Sequence, residues 1–181
     1  LTAVLAAQQS SNVRGVIATT LIDLSDPEVF IGAAKWRWLG RLSLYSIRNM
    51  PWLFDRFVLP LSLATPLKAM SHNKLMQAYF AADPLLGSSW KRARFFRTVH
   101  QHRIDRWDIG CPLLLVHPGA DLWTPTALSL VVFNKIIGRK DFRQLSNGAH
   151  LPLEQPAYEE LKIEMRGFLD KVVALSISET Q

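Results

Sequence analysis

The chain is 181 residues long, 49% hydrophobic and 20% charged, with ten prolines and nine glycines. That balance excludes collagen, coiled coil and disorder, and supplies enough apolar side chains for one core that needs no disulfide or metal. The net charge of +6 is unevenly spread: residues 35–106 hold thirteen Lys and Arg against three acids, and five of six tryptophans lie in or beside that segment.

In chain order, residues 1–9 predict a helix, Ser10, Ser11 and Asn12 a polar turn, and the β-branched run over 13–20 a buried strand with Asp23 just past its end. Leu1 opens on an apolar stretch that lacks the basic residues of a secretory leader, so the start is read as a cut within a longer chain. Residues 26–105 have helical periodicity broken at Pro51, Pro60, Pro66 and Asp83-Pro84, the pattern of a bundle of short helices. The most apolar stretch, 57–67, is interrupted by two prolines and falls short of the ~20 apolar residues of a membrane span.

Two readings fit the alternation of Lys35, Arg37 and Arg41 with Trp36 and Trp38: a helix whose solvated face is basic and whose tryptophans pack inward, or an interfacial helix. No nucleic-acid-binding module accompanies the charge, so nucleic acid is not an expected partner. An anionic amphiphilic substrate, or peripheral contact of the basic Trp-rich segment with a membrane surface, is.

Cys111 to His117 is an unbroken apolar run between prolines, which predicts a strand buried on both faces, followed by a loop to Asp121. Cys111 is the single cysteine, so no internal disulfide forms and the cytoplasm is the expected compartment; no Cys/His spacing suits zinc. Thr124 as N-cap, Pro125 at the first helical position and Gly138 as the stop frame a helix over 125–137. A short strand over 142–145 leads into Ser146, Asn147, Gly148, Ala149 and His150. After Pro152 and Pro156, Tyr158, Leu161, Met165, Phe168, Leu169 and Val172 recur at helical spacing. Strand, helix, strand, helix is a right-handed parallel unit, so the fold class is α/β.

Loops after the C-terminal ends of parallel strands gather along one edge, where ligands bind. Asp121 and His150 lie on two such loops and form a candidate acid and base pair awaiting a nucleophile. Asp23 is a rival acid at the same edge. His117 is read as a core histidine, His72, His100 and His102 as structural, and Asn147 and Gly148 as shaping their loop.

Strand, Pro118-Gly-Ala-Asp121-Leu-Trp-Thr-Pro125, capped helix, strand, Asn147-Gly-Ala-His150-Leu-Pro-Leu-Glu-Gln-Pro156 and closing helix resemble the last third of an α/β-hydrolase, most similar to lysophospholipase-like and monoacylglycerol-lipase-like serine hydrolases. The likeness is close over 111–175 and loose before it, with Ser71-His-Asn73 and Ala82-Asp-Pro-Leu85 similar to the end of the family's cap. It implies a partial α/β-hydrolase fold divided into 1–25 (core), 26–106 (helical cap) and 107–181 (core carrying the acid and histidine loops). It implies Asp121 as triad acid and His150 as general base acting on a small ester or lipid, with no cofactor or metal. No Gly-x-Ser-x-Gly occurs in the chain. The nucleophile and oxyanion donors are therefore expected upstream of Leu1, the 181 residues alone are expected to be inactive, and an exposed sheet edge is expected to pair with a second copy or a complementing N-terminal fragment. The alternatives are a non-catalytic relative that binds a hydrophobic ligand or partner, or a hydrolase of the same fold with an Asp or Cys nucleophile.

Overall fold

In the computed structural model of the chain the described residues are Val4, Ala7, Gln8 and 12–178. Of the helix expected over 1–9, those first three residues are helical and the rest lies outside the described residues. In order, the elements are β1 (Val16–Ala18), α1 (Pro27–Ala33), α2 (Arg37–Asn49), α3 (Pro51–Phe54), β2 (Val58–Pro60), α4 (Leu61–Ala64), a 3-10 turn (Leu67–Met70), α5 (Lys74–Ala82), β3 (Trp90–Arg92), α6 (Ala93–Gln101), β4 (Leu113–His117), α7 (Thr126–Lys135), β5 (Lys140–Gln144) and α8 (Ala157–Ser178). They fall into two compact units. The first is Leu1–Ile22, Asp105–Asp121 and Pro125–Gln181; the second is Asp23–Ile104 with Leu122–Thr124.

The first unit is built on a parallel sheet of order β1-β4-β5. Every residue of the central strand β4 is buried, as an apolar run covered on both faces requires. The two-residue period divides it. Leu113 and Leu115 pack with Val16, Val132 and Ile136, whereas Leu114 and Val116 pack with Ala157, Phe168 and Val172 of α8.

Strand β1 is shorter than the β-branched run over 13–20, because the chain leaves the sheet after Ala18 and the Leu21 amide donates to Ser129 Oγ at 3.1 Å. Helix α7 starts at Thr126, not 125: Pro125, with ψ 148°, is its N-cap in place of Thr124. The same helix ends before Gly138, because Ile137 N donates to Trp107 O at 2.8 Å and Ile109 N to Ile137 O at 3.1 Å, drawing the chain into a bridge. In α8 the buried stripe is Ala157, Phe168 and Val172, with Leu161 half-buried against it. Tyr158 and Leu169, expected on it, each sit one residue around the helix and are exposed.

In the second unit Phe30, Ile31, Leu44 and Ile47 form a core against which Leu24, Phe54 and Phe96 pack. Asp26 caps α1 by accepting from Glu28 N at 3.0 Å, and Asn73 caps α5 by accepting from Leu75 N at 2.9 Å. The segment is not purely helical. An antiparallel ribbon pairs β2 with β3, Val58 opposite Arg92 and Pro60 opposite Trp90, and strands of three residues are too short to leave a readable period. The inward-packed reading of the tryptophans is corrected: α2 buries Gly40, Leu44 and Ile47, while Trp36 and Trp38 stack on each other at 5.9 Å and are 41% and 60% exposed. Among the described residues no helix is long and apolar enough to cross a membrane.

Candidate active site

Parallel pairing does not stop at the ends of β4 and β5. His117 is in register with Gln144, and beyond that pair Leu145 N donates to His117 O, Gly119 N to Asn147 O and Ala120 N to Gly148 O, all between 2.9 and 3.1 Å. The two loops are thus hydrogen-bonded side by side past the strands. Asp121 follows Ala120 directly, and His150 lies two residues past Gly148.

His150 Nδ1 stands 2.9 Å from Asp121 Oδ2, the carboxylate without solvent exposure and the imidazole 18% exposed. A carboxylate only accepts, so Nδ1 carries the hydrogen, and in the neutral ring Nε2 carries the lone pair. An imidazole fixed in this tautomer can take a proton at Nε2, and the buried carboxylate stabilises the imidazolium that results. The pair can therefore act as a base and its orienter.

The histidine loop is braced by contacts that its own spacing does not announce. Asn147 Oδ1 accepts from Ala157 N at 3.0 Å and Asn147 Nδ2 donates to Gln155 O at 2.9 Å, tying the loop to the start of α8. Ala149 N donates to Glu154 Oε2 at 3.1 Å. Ser146 donates through both its amide and its hydroxyl to Glu160, and those bonds hold the Glu160 carboxyl below the usual range. The sequence signal for Glu160 is faint: an acid in the first turn of α8, ordinary for any helix.

His117 is buried at the end of β4, its Nδ1 2.9 Å from Pro118 O and 3.2 Å from Thr126 Oγ1, the environment of a core histidine. Asp23 lies in the second unit, where Oδ1 accepts from Ser25 N at 3.0 Å in the turn that leads to the Asp26 cap. Cys111 is buried ahead of the N-terminal end of β4, and burial pushes its thiol pKa up, the opposite of what a nucleophile needs. Among the described residues no three His, Cys, Asp or Glu side chains are grouped to hold a metal ion.

No family model and no curated protein matches the sequence. Among solved structures the chain is similar to the monoacylglycerol lipase of Paleococcus ferrophilus, at 20% identity and a TM-score of 0.52, over 93% of this chain and 62% of the lipase chain. It thus spans less than two thirds of that lipase's length. A likeness at this identity carries the fold and nothing finer: a parallel sheet flanked by helices, part of an α/β-hydrolase fold.

Proposed function

We propose that His150 and Asp121 are the general base and orienting acid of a carboxylic ester hydrolase whose serine nucleophile is carried outside these 181 residues. The observation that supports this most directly is the 2.9 Å contact between His150 Nδ1 and the buried Asp121 carboxylate on adjoining loops at the C-terminal edge of a parallel sheet. In this reading the serine hydroxyl attacks the ester carbonyl as His150 Nε2 takes its proton. The protonated imidazole then donates to the departing alcohol, leaving an acyl-enzyme. Water, deprotonated by the same nitrogen, releases the acid.

A lipid ester is the substrate class we favour. The basic, tryptophan-bearing segment would attract an anionic amphiphile such as a lysophospholipid, and Trp38, Trp52 and Trp90, each at least 60% exposed, suit peripheral contact with a lipid surface. The second reading, a non-catalytic binder of a hydrophobic ligand, is favoured by one observation: no Gly-x-Ser-x-Gly occurs in the sequence.

Turnover of monoacylglycerol and lysophospholipid by the intact protein, beside its His150→Ala and Asp121→Asn variants, separates the two. The hydrolase reading expects kcat to fall by about 10^4-fold in either variant with substrate binding retained. Turnover unchanged in His150→Ala overturns it, as does an intact protein that binds these lipids and hydrolyses none.

A further inference from the structure

A cavity of about 490 Å³ opens entirely within the second unit, and its lining is cationic. Arg48 from α2, Arg97 and His100 from α6, and Arg103 just beyond it converge there over an apolar floor of Ile47 and Pro51, and no acidic side chain lines it. The four groups are not equivalent. Arg97 is clamped: Nε and Nη2 donate to the two oxygens of Asp55 at 2.7 and 2.6 Å, and Nη1 donates to Gln101 Oε1 at 2.8 Å. Its charge is answered by Asp55, and its role in the cavity is a fixed wall.

Arg48 and Arg103 are different. Both are exposed, and neither takes part in an ion pair among the described residues. His100 is pinned from two sides, Nδ1 donating to Leu24 O at 2.7 Å and the ring lying edge-on to Phe30 at 5.0 Å. With Nδ1 committed to that carbonyl and Phe30 against the ring, His100 is a second fixed wall of the cavity. Two guanidinium forks with no acidic partner on the lining favour an anion in the cavity between them. The planar fork of Arg matches phosphate oxygens in pairs, and the cavity leaves room for a small organic group beyond them.

We propose that this cavity is a binding site for a phosphate monoester, held by Arg48 and Arg103 with Arg97 and His100 as preset walls. The phosphate could come from a soluble metabolite or from a phospholipid headgroup, and the chemistry of recognition is the same for both. The proposal does not depend on hydrolysis, because binding is its readout.

Calorimetric titration of the intact protein with glycerol 3-phosphate at constant ionic strength tests it, with vesicles of phosphatidylcholine containing phosphatidic acid as a second probe. Arg48 and Arg103 are exposed, so Arg48→Gln/Arg103→Gln leaves the core untouched; Arg166→Gln, exposed on α8, is the control for bulk charge. Loss of two charge-assisted contacts raises the Kd for glycerol 3-phosphate by at least about tenfold in the double variant, and the control binds as the parent does. Vesicle binding displaced by free phosphate identifies a headgroup as one source; glycerol 3-phosphate binding without vesicle uptake identifies a soluble ester, and both support the site. No binding by the parent protein, an unchanged Kd in the double variant, or an equal loss in Arg166→Gln overturns it.

Discussion

Gly119 carries no side chain because the carbonyl oxygen of Leu145 occupies the space a Cβ would fill. That close approach lets the Gly119 amide reach Asn147 O and holds the Asp121 loop against the His150 loop. Gly148 answers for the other loop, with φ at +97°, where an L side chain is strained, and Ala157 Cβ only 3.0 Å from an added Cβ. Neither neighbour at Gly119 can yield cheaply, since it is backbone. Gly119→Ala is therefore expected to lower stability by about 1–3 kcal/mol and Gly148→Ala by a similar amount, read by urea unfolding. Gly110→Ala, whose Cβ meets nothing within 4 Å, should stay within about 0.5 kcal/mol of the parent. In the proposed hydrolase Gly119→Ala also lowers kcat more than it changes KM, because it parts the acid from the base. Equal stability of all three variants would mean that the loops are held together by something other than this approach.

Among the elements, those legible in the sequence were the ones whose pattern is local and long. The run Leu113 to His117 reads as a doubly buried strand because its first four side chains are all apolar, and α8 reads as a helix because its apolar positions recur over several turns. What escaped was set by distant partners. The β2–β3 ribbon is two strands of three residues joined by residues 61–89, and α7 ends where the backbone of Trp107 captures Ile137. The loops of Asp121 and His150 could be placed from their punctuation, whereas the bracing by Glu154 and Glu160 depends on where α8 docks. A further cross-element contact of this kind is the bidentate ion pair between Asp55, which ends α3, and Arg97 of α6. The Arg97 guanidinium holds the Asp55 carboxyl below the 3.8 of an ordinary aspartate. A carboxyl depressed in the folded state lends stability that is fully present above the unfolded value and is lost as pH falls through the folded one. Melting temperatures taken from pH 7 to pH 2.5 should therefore fall more steeply for the parent than for Asp55→Asn. Parallel curves would show that the pair does not couple folding to protonation.

At the scale of the whole molecule, the three-stranded sheet poses a question of partnership. Among the described residues strand β1 is an outer strand, paired with β4 on one side. In a parallel ladder successive residues direct their backbone groups to opposite neighbours. Val16 N donates to Pro112 O, on the β4 side, so the amide of Ile17 points to the outer edge. If the nucleophile of the proposed hydrolase is borne by a strand outside these 181 residues, the place for that strand in a parallel α/β sheet is beside β1, where a serine at its C-terminal end would share an edge with Asp121 and His150. Ile17 is then the reporter. In the intact protein its amide should exchange with deuterium at least about a hundredfold more slowly than an open-edge amide, whose opening costs close to nothing. Protection independent of protein concentration would mean that the covering strand belongs to the same polypeptide, whose mass then exceeds that of these residues. Protection that grows with concentration would mean that a second copy covers the edge. Fast exchange at all concentrations would leave β1 open, remove the seat of the nucleophile, and make Asp121 and His150 a hydrogen-bonded pair with no hydroxyl to activate.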